Sequence, residues 1–264
     1  MHSVRADYPV EWPHANLYTL ADLHIGDEHS KTSEIAKRIQ QIKDDPYGLC
    51  ICNGDILNTA LKTSVSDIYS EQLSPMQQMQ AAVELLFPIK DKIIAATTGN
   101  HESRIYRTDG IDIMRFVCRE LGIEEKYHPD GVLVFLRFGE RCSNDQHRKE
   151  NRNPRQWYSI YATHGSGGGR KEGAKAIRLA DMASIVDADI YVHSHTHLPM
   201  VMKQAFYRAD SSNCCAKRVD KLFVNTAAML GYGGYGQAQE FKPASICNPV
   251  IHLEAKQKCA RATL

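Results

Sequence analysis

Apolar and polar residues alternate with two different periods along the first half of the chain. Short apolar runs that end in polar residues are typical of buried strands. Between them, Ile35, Ile39 and Ile42 recur at the spacing of one helical face, and Ser74-Pro75 has the form of an N-cap followed by a first-turn proline. This strand–helix–strand rhythm predicts a largely parallel sheet. The predicted strands cover 17–21, 49–52 and 93–97, and the predicted helices cover 31–43 and the segment from Pro75 onward.

The pattern changes after a helix predicted over 110–121. Apolar runs with strand character dominate from there, which predicts a mixture of parallel and antiparallel strands with fewer helices. The polar segment 140–155 is too charged to be buried and is predicted to form a loop. The predicted strands cover 132–138, 157–162, 189–193, 199–207, 221–225 and 249–254, and a helix is predicted over 172–187.

Composition narrows the class of protein without naming an activity. A chain of 264 residues, 43% hydrophobic, is expected to form a single domain over 1–264. Its formal net charge of +1 neither supports nor excludes a nucleic-acid partner. The first residues lack the apolar core of a signal peptide, and no run is long enough to span a bilayer, so we expect a cytoplasmic protein without a membrane partner.

Eight cysteines raise the question of disulfides or zinc. Cys50, Cys52 and Cys118 lie inside apolar runs, so buried reduced thiols are the favoured interpretation, and a structural zinc site on Cys50 and Cys52 is the disfavoured alternative.

Three alternating histidines, His193, His195 and His197, end one apolar run. In extended backbone these side chains share a face, and a metal ion is the commonest partner of such a set. The alternative is a surface strand that carries histidines.

Other polar residues also follow predicted strands. Asp22, His24, Asp55, Asn100 and His164 each stand just after an apolar run. Singly, each fits an ordinary turn or loop, but the carboxyl ends of strands in an α/β sheet converge on one crevice. Together the carboxylates, imidazoles and amide suit two divalent cations about 3.5–4 Å apart.

The motifs, in order, are Asp22-Leu23-His24, Gly54-Asp55, Gly99-Asn100-His101-Glu102, His164-Gly165 and Ser194-His195-Thr196-His197. Over residues 17–200 this set resembles the calcineurin-like metallophosphoesterase superfamily, whose pattern is D-x-H, G-D, G-N-H-D/E, H and G-H-x-H. Ser194 replaces the usual glycine, and Asn58 stands where many members have a second acidic residue. Neither departure removes a metal ligand.

The resemblance implies a four-layer α/β/β/α sandwich of two mixed sheets flanked by helices. It also implies two divalent metal ions, with Mn favoured over Fe, Zn, Mg or Ni, while His193 matches no family ligand and is interpreted as a core or supporting residue. The implied ligands are Asp22, His24 and His197 for the first metal, Asn100, His164 and His195 for the second, and Asp55 as the bridge.

A metal-bridging hydroxide would then attack phosphorus in line, and His101 would protonate the leaving oxygen. Glu102 would orient His101 or support the neighbouring backbone; a solvated carboxylate at a helix start is the alternative.

The substrate is less defined than the chemistry. The Asp22-x-His24-x-Gly26 form resembles the nuclease branch that includes SbcD and Mre11, whereas Leu198 replaces an arginine found in UDP-diacylglucosamine pyrophosphatases. A phosphodiesterase or nuclease is therefore the leading hypothesis, and a phosphomonoesterase is the alternative. An inert scaffold is disfavoured because every ligand and the acid are retained.

Substrate phosphate is predicted to contact Arg104, Arg170 and Lys171, the last two because they follow the glycine-rich segment 165–169. The 141–155 loop is a candidate nucleic-acid contact, and the alternative is a solvated charged face. Tyr232 and Tyr235 are candidates for stacking on a base, and the alternative is a plain turn with surface tyrosines. The oligomeric state and any need for a partner stay open.

Overall fold

Successive side chains of the central strands face two different layers. In β3 (Gly48–Asn53), Leu49 and Ile51 point into the core between the two sheets, whereas Cys50 and Cys52 pack against helices on the outer face. This alternation follows from the two-residue period of a strand, and because both faces are covered, residues 49–52 are all apolar. The computed structural model describes residues 1–62, 64, 68–139, 156–167, 169–238, 240–243 and 245–264.

Two mixed sheets form the centre of the protein, in the strand orders β1-β5-β6-β7-β9-β8 and β11-β10-β2-β3-β4. The strands of the first sheet are β1 (His2–Tyr8), β5 (Val132–Phe138), β6 (Trp157–Thr163), β7 (Ile190–His193), β8 (Met200–Asp210) and β9 (Cys215–Asn225). Those of the second are β2 (His14–Leu20), β3, β4 (Ile93–Thr97), β10 (Val250–Glu254) and β11 (Ala260–Thr263).

Helices cover the outer face of each sheet. Residues of α1, α2 and α4 share one apolar cluster with β2 and β3, while Leu179 of α5 packs with Tyr191 and Phe223 on the far side of the first sheet. The predicted four-layer α/β/β/α sandwich is thus confirmed. The helices are α1 (Thr32–Asp44), α2 (Pro75–Leu86), α3 (Glu102–Asp109), α4 (Ile113–Glu120), α5 (Glu172–Asp181) and the short α6 (Gly234–Ala238).

The helix start predicted at Ser74-Pro75 is confirmed in detail. The Ser74 side chain accepts from the Gln77 amide, and the Gln77 side chain accepts from the Ser74 amide, which forms a capping box.

Because neighbouring strands pair in parallel, the strand ends that carry polar residues lie at the same level of the sheet. In the first sheet Thr163 is paired with His193 and His193 with Asn225, so the residues that follow β6, β7 and β9 leave the sheet at the same height. In the second sheet β2, β3 and β4 run parallel in the same way. One edge of the double sheet therefore collects the ends of six strands.

Several elements depart from the sequence-based prediction. Strand β9 begins at residue 215 rather than 221, because β8 and β9 pair over eleven positions and form a hairpin whose outer half is solvent-exposed, so no apolar run announces it. Helix α5 ends at Asp181 and gives way to a 3-10 turn, and β1, α3 and β11 were not predicted. The predicted 140–155 loop lies outside the described residues.

Cysteine side chains divide between core and surface. Cys50, Cys52 and Cys118 are free and buried, as predicted, whereas Cys214, Cys215 and Cys247 are free and exposed. Within the described ranges, no helix has both the length and the apolar character needed to cross a bilayer.

Candidate metal centre

The polar residues that follow the strands adopt an unusual backbone. Asp22, His24, Asp55, His195 and His197 all have positive φ, between 48° and 64°. The left-handed region is unfavourable for residues with a side chain, and such residues cluster where the surrounding structure holds a functional site in place. Five predicted ligands therefore sit in sharp turns that aim their side chains at one crevice.

The first group of side chains comprises Asp22, His24 and His197, whose ligand atoms lie within 4.8 Å of one another. Asp22 is fully buried, and its Oδ1 lies 3.1 Å from His197 Nε2. His24 is buried as well, and burial followed by the nearby His101 lowers the pKa of His24 to about 3. His24 is thus a neutral imidazole, the form that binds metals.

The second group comprises Asp55, His164 and His195, again within 4.8 Å of one another. Asn100 Oδ1 joins it, 2.7 Å from His195 Nδ1 and 3.2 Å from His164 Nε2. Burial lowers the pKa of His195 to about 4, so this imidazole is neutral too.

Asp55 lies between the two groups. Its Oδ2 is 3.2 Å from His164 Nε2 in one group and 4.0 Å from His24 Nε2 in the other. The carboxylate is almost completely buried, and its Oδ1 accepts the backbone N–H of His101 at 2.8 Å. One carboxylate can therefore reach a cation in either group.

Two observations indicate that this crevice fits divalent cations. His24 Nε2 is buried and has no hydrogen-bond partner among the described residues, which is costly unless a ligand occupies that direction. Burial alone would lower the pKa of His164, but the Asp55 carboxylate outweighs it and raises the pKa to about 10. In the metal-free protein the proton on His164 thus supplies the positive charge beside Asp55 that a metal ion would otherwise supply.

His101 lies at the rim of the centre with both ring nitrogens engaged. Its Nδ1 donates to the Asn58 carbonyl at 2.8 Å, and its Nε2 accepts from the Arg104 guanidinium at 3.1 Å. Burial lowers the pKa of His101. The structure therefore holds a neutral imidazole whose Nε2 lone pair points to Arg104.

Glu102 is a buried residue and not a solvated one, which excludes the alternative of an exposed helix-start carboxylate. Its Oε2 accepts the amides of Gly99 and Asp55 at 2.8 and 3.1 Å, and its Oε1 accepts the amide of Leu57 at 2.9 Å. Burial, reinforced by Asp55, raises the pKa of Glu102 to about 7. Glu102 thus supports the backbone that carries Asp55.

Other residues that hold the centre together escaped the sequence analysis. Asn53 donates to the Thr163 carbonyl and, at 2.6 Å, to Ser194 Oγ, so the serine that replaces a glycine makes a buried polar contact. Lys175 donates to the Thr196 carbonyl at 2.7 Å, between two candidate ligands. A polar residue at the last position of a buried strand, as Asn53 is, was the available signal.

His193 is separate from both groups. It is buried, and its Nδ1 lies 2.8 Å from Asn225 Oδ1, in agreement with its interpretation as a supporting residue.

The predicted phosphate-binding residues are not all in the same place. Arg104 contacts His101, whereas Arg170 and Lys171 are exposed, and the Arg170 guanidinium lies over the Phe241 ring. Tyr232 is exposed. The 141–155 loop and the Tyr235 side chain lie outside the described part of the chain.

Buried carboxylates, imidazoles and an amide at the shared edge of two mixed sheets form a ligand set that suits divalent metal ions. The model of the calcineurin-like phosphoesterase family matches residues 21–199, and the chain belongs to this family. It is therefore a metal-dependent phosphoesterase.

Comparison with curated proteins finds no significant match. Among solved structures, the chain is similar to Vacuolar Protein Sorting 29 from Cryptosporidium parvum, with 16% identity, a TM-score of 0.44, and coverage of 95% of this chain and 97% of that one. It is also similar to a metallophosphoesterase from Sphaerobacter thermophilus, with 12% identity, a TM-score of 0.39, and coverage of 95% and 88%. These distant likenesses carry no argument about substrate.

Proposed function

We propose that the protein is a phosphodiesterase that uses two divalent cations. Asp22, His24 and His197 would hold one cation and Asn100, His164 and His195 the other, with Asp55 shared. The observation that carries the two-cation proposal is the position of Asp55, buried between two groups of candidate ligands. Manganese is the proposed metal, because the mixed carboxylate, amide and imidazole set suits intermediate first-row cations.

When bound, two such cations supply a nucleophile from water at neutral pH and neutralise the phosphoryl oxygens. The residues of the chain determine the rest. His101 Nε2 would meet the leaving oxygen, and to deliver a proton there it must first gain one, which requires the Arg104 guanidinium to release that nitrogen. Arg104 would then be available to the phosphate. Glu102 would keep the Asp55 turn rigid through its backbone contacts.

Few cationic side chains of the described residues contact the centre. Among the described residues, the Arg104 guanidinium contacts the His101 side chain at the rim of the centre. The Lys175 ammonium instead donates to the Thr196 backbone carbonyl. The two cations of the proposed centre would supply most of the positive charge that a phosphoryl group meets, so substrate preference has to be measured. Nothing in the described residues favours nucleic acid over a small diester.

Substrate class is tested by comparing manganese-dependent hydrolysis of bis-p-nitrophenyl phosphate with that of p-nitrophenyl phosphate. We expect a higher kcat/KM for the diester, and a preference for the monoester would refute the proposal in favour of a phosphomonoesterase. A parallel incubation with labelled single-stranded and double-stranded DNA and RNA separates a nuclease from an enzyme of small diesters.

The role of His101 is tested by His101→Ala. Metal content, measured by mass spectrometry, should persist while turnover falls by about 10²–10⁴-fold, the usual range for a general acid. His128→Ala is the control, because His128 stacks on His2 and contacts no candidate ligand. Loss of metal from the His101 variant would show that His101 is a ligand.

A further inference from the structure

Asn58 lies between a candidate ligand and two carboxylates. Its Oδ1 is 3.1 Å from His24 Nδ1. On the other side its Nδ2 donates to Asp27 Oδ2 at 3.3 Å and makes a short hydrogen bond to Glu71 Oε1. Asn58 is buried, and its contact to His24 is shielded from water, whereas its contacts to Asp27 and Glu71 are partly buried.

The two carboxylates determine which way the Asn58 amide faces. Ionised carboxylates only accept hydrogen bonds, so the Asn58 NH₂ group must point to Asp27 and Glu71. Its carbonyl oxygen then faces His24 and accepts from Nδ1, which must carry the hydrogen. A neutral imidazole has one N–H, and therefore the lone pair of His24 is on Nε2, the buried atom without a partner on the side of Asp55.

Glu71 is itself held firmly, although it belongs to none of the matched motifs. It accepts the Ala60 amide at 3.3 Å and makes a short hydrogen bond to Gln78 Nε2. Gln78 is fully buried, donates to the Leu73 carbonyl at 2.9 Å and accepts the Thr59 amide at 2.9 Å. The half-buried Glu71 carboxylate is thus fixed by its own hydrogen bonds.

Gly26 gives an independent sign that this network is tightly packed. Its φ is +106°, and a Cβ built there would lie 2.6 Å from Gln78 Cδ. Any side chain at this position would displace Gln78. The glycine of the Asp22-x-His24-x-Gly26 form is therefore required by Gln78, which removes its value as an indication of a nuclease substrate.

We propose that Glu71, acting through Asn58, positions His24 by selecting the tautomer whose Nε2 lone pair faces the metal centre. Many family members have an acidic residue where this chain has Asn58. An aspartate at position 58 would place its carboxylate against Glu71 and Asp27, so the presence of Glu71 favours the neutral asparagine. The proposal rests on the proposed metal sites, because a preset lone pair matters for binding a cation.

Two substitutions separate positioning from packing. In Glu71→Gln an acceptor oxygen can still receive the Asn58 NH₂ group, so the His24 tautomer should be kept. In Glu71→Leu the shorter of the two acceptor contacts is lost and Asp27, at 3.3 Å, is the acceptor that remains, so His24 should populate the second tautomer as well. The matched control is Glu34→Leu, since Glu34 pairs with Lys37 on the surface of α1.

The first measurement is ¹⁵N NMR of the histidine rings in the full-length, chelator-treated protein. We expect the wild-type His24 to carry its hydrogen on Nδ1 alone, and Glu71→Leu to give averaged shifts. A wild-type His24 protonated on Nε2 overturns the proposal, even if Glu71→Leu does not fold.

The second measurement is Zn²⁺ affinity by competition with a chromophoric chelator. Glu71→Leu should bind about 10–100-fold more weakly, the usual effect of removing a residue that orients a ligand, and Glu71→Gln should bind nearly as the wild type does. Equal affinity for Glu71→Leu and wild type refutes the inference alone. Absence of Zn²⁺ binding by the wild type refutes the proposed function, while the NMR result still decides the tautomer.

Discussion

Gly99 lies against Asp55, so that a single methyl group at position 99 would clash with the Asp55 carboxylate. A Cβ built on Gly99 would lie 2.6 Å from Asp55 Cγ and closer still to Asp55 Oδ1 and the Asp55 amide nitrogen. These atoms cannot swing aside, because the Asp55 amide is bonded to Glu102 and its carboxylate to the His101 amide. Gly99→Ala therefore tests whether the geometry of Asp55 governs metal binding.

The magnitude follows from the contacts. Ordinary van der Waals contact begins at 3.4 Å, so Asp55 Cγ must move by about 0.8 Å, and Oδ1 and the amide nitrogen must move further. Overpacking of a buried site costs about 1–3 kcal/mol, and the hydrogen bond from His101 to the Asp55 carboxylate contributes about 1.5–3 kcal/mol if it breaks. We expect a loss of about 3 kcal/mol in the free energy of unfolding, or roughly 6–12 °C in Tm for a chain of this size.

The assay combines urea unfolding of the metal-free protein with manganese binding. A displaced Asp55 should weaken both cation sites together, by more than about tenfold, since ligand orientation governs metal affinity. Gly173→Ala is the control: nothing lies within 4 Å of its added Cβ, and an alanine in helix α5 should stabilise by about 0.5–1 kcal/mol. Wild-type stability together with wild-type manganese affinity in Gly99→Ala would refute the reasoning.

Two further predictions concern protons and buried backbone. The pKa of His164, raised from 6.5 to about 10 in the metal-free chain, means that its proton stabilises this state fully below pH 6.5 and that the stabilisation is lost as pH rises toward 10. A cation at His164 Nε2 must expel that proton, so metal affinity should rise about tenfold per pH unit between roughly pH 7 and 9. Calorimetry in buffers of different ionisation enthalpy should detect the released proton, and a pH-independent affinity would contradict this assignment. In Glu102→Ala three backbone N–H donors lose their acceptor, so the free energy of unfolding at pH 5, where the raised pKa leaves Glu102 uncharged, should fall by about 1–3 kcal/mol for each N–H left unpaired; an unchanged urea midpoint would be inconsistent with the backbone role of Glu102.

Much of the fold could be predicted from the sequence, because burial imposes a local period. The runs that became β3 and β4 are buried at every position, and the Ser74-Pro75 start of α2 lies within one turn of chain. Elements without a run of buried apolar residues escaped prediction. Strand β1 is an edge strand with alternating exposure, and the outer part of the β8–β9 hairpin is exposed on both faces.

The candidate ligands were also predictable, because each follows a strand and each belongs to an ordered motif. The sequence could not show that Glu102 is buried beneath Asp55, or that Arg104 occupies His101 Nε2. Both contacts depend on how helix α3 enters the crevice, which no local pattern specifies.

By itself, then, the amino-acid sequence determined the alternation of strands and helices, the family and the chemical types of the candidate ligands, since these depend on neighbouring residues. Only the tertiary structure decided that Glu102 supports the Asp55 turn from beneath, and that Glu71 and Gln78 stand behind His24. Asp22 and His197 are 175 positions apart, and the parallel register of two sheets brings them to 3.1 Å. Distances of that kind arise from long-range strand pairing and burial, which a reading of local periods does not contain.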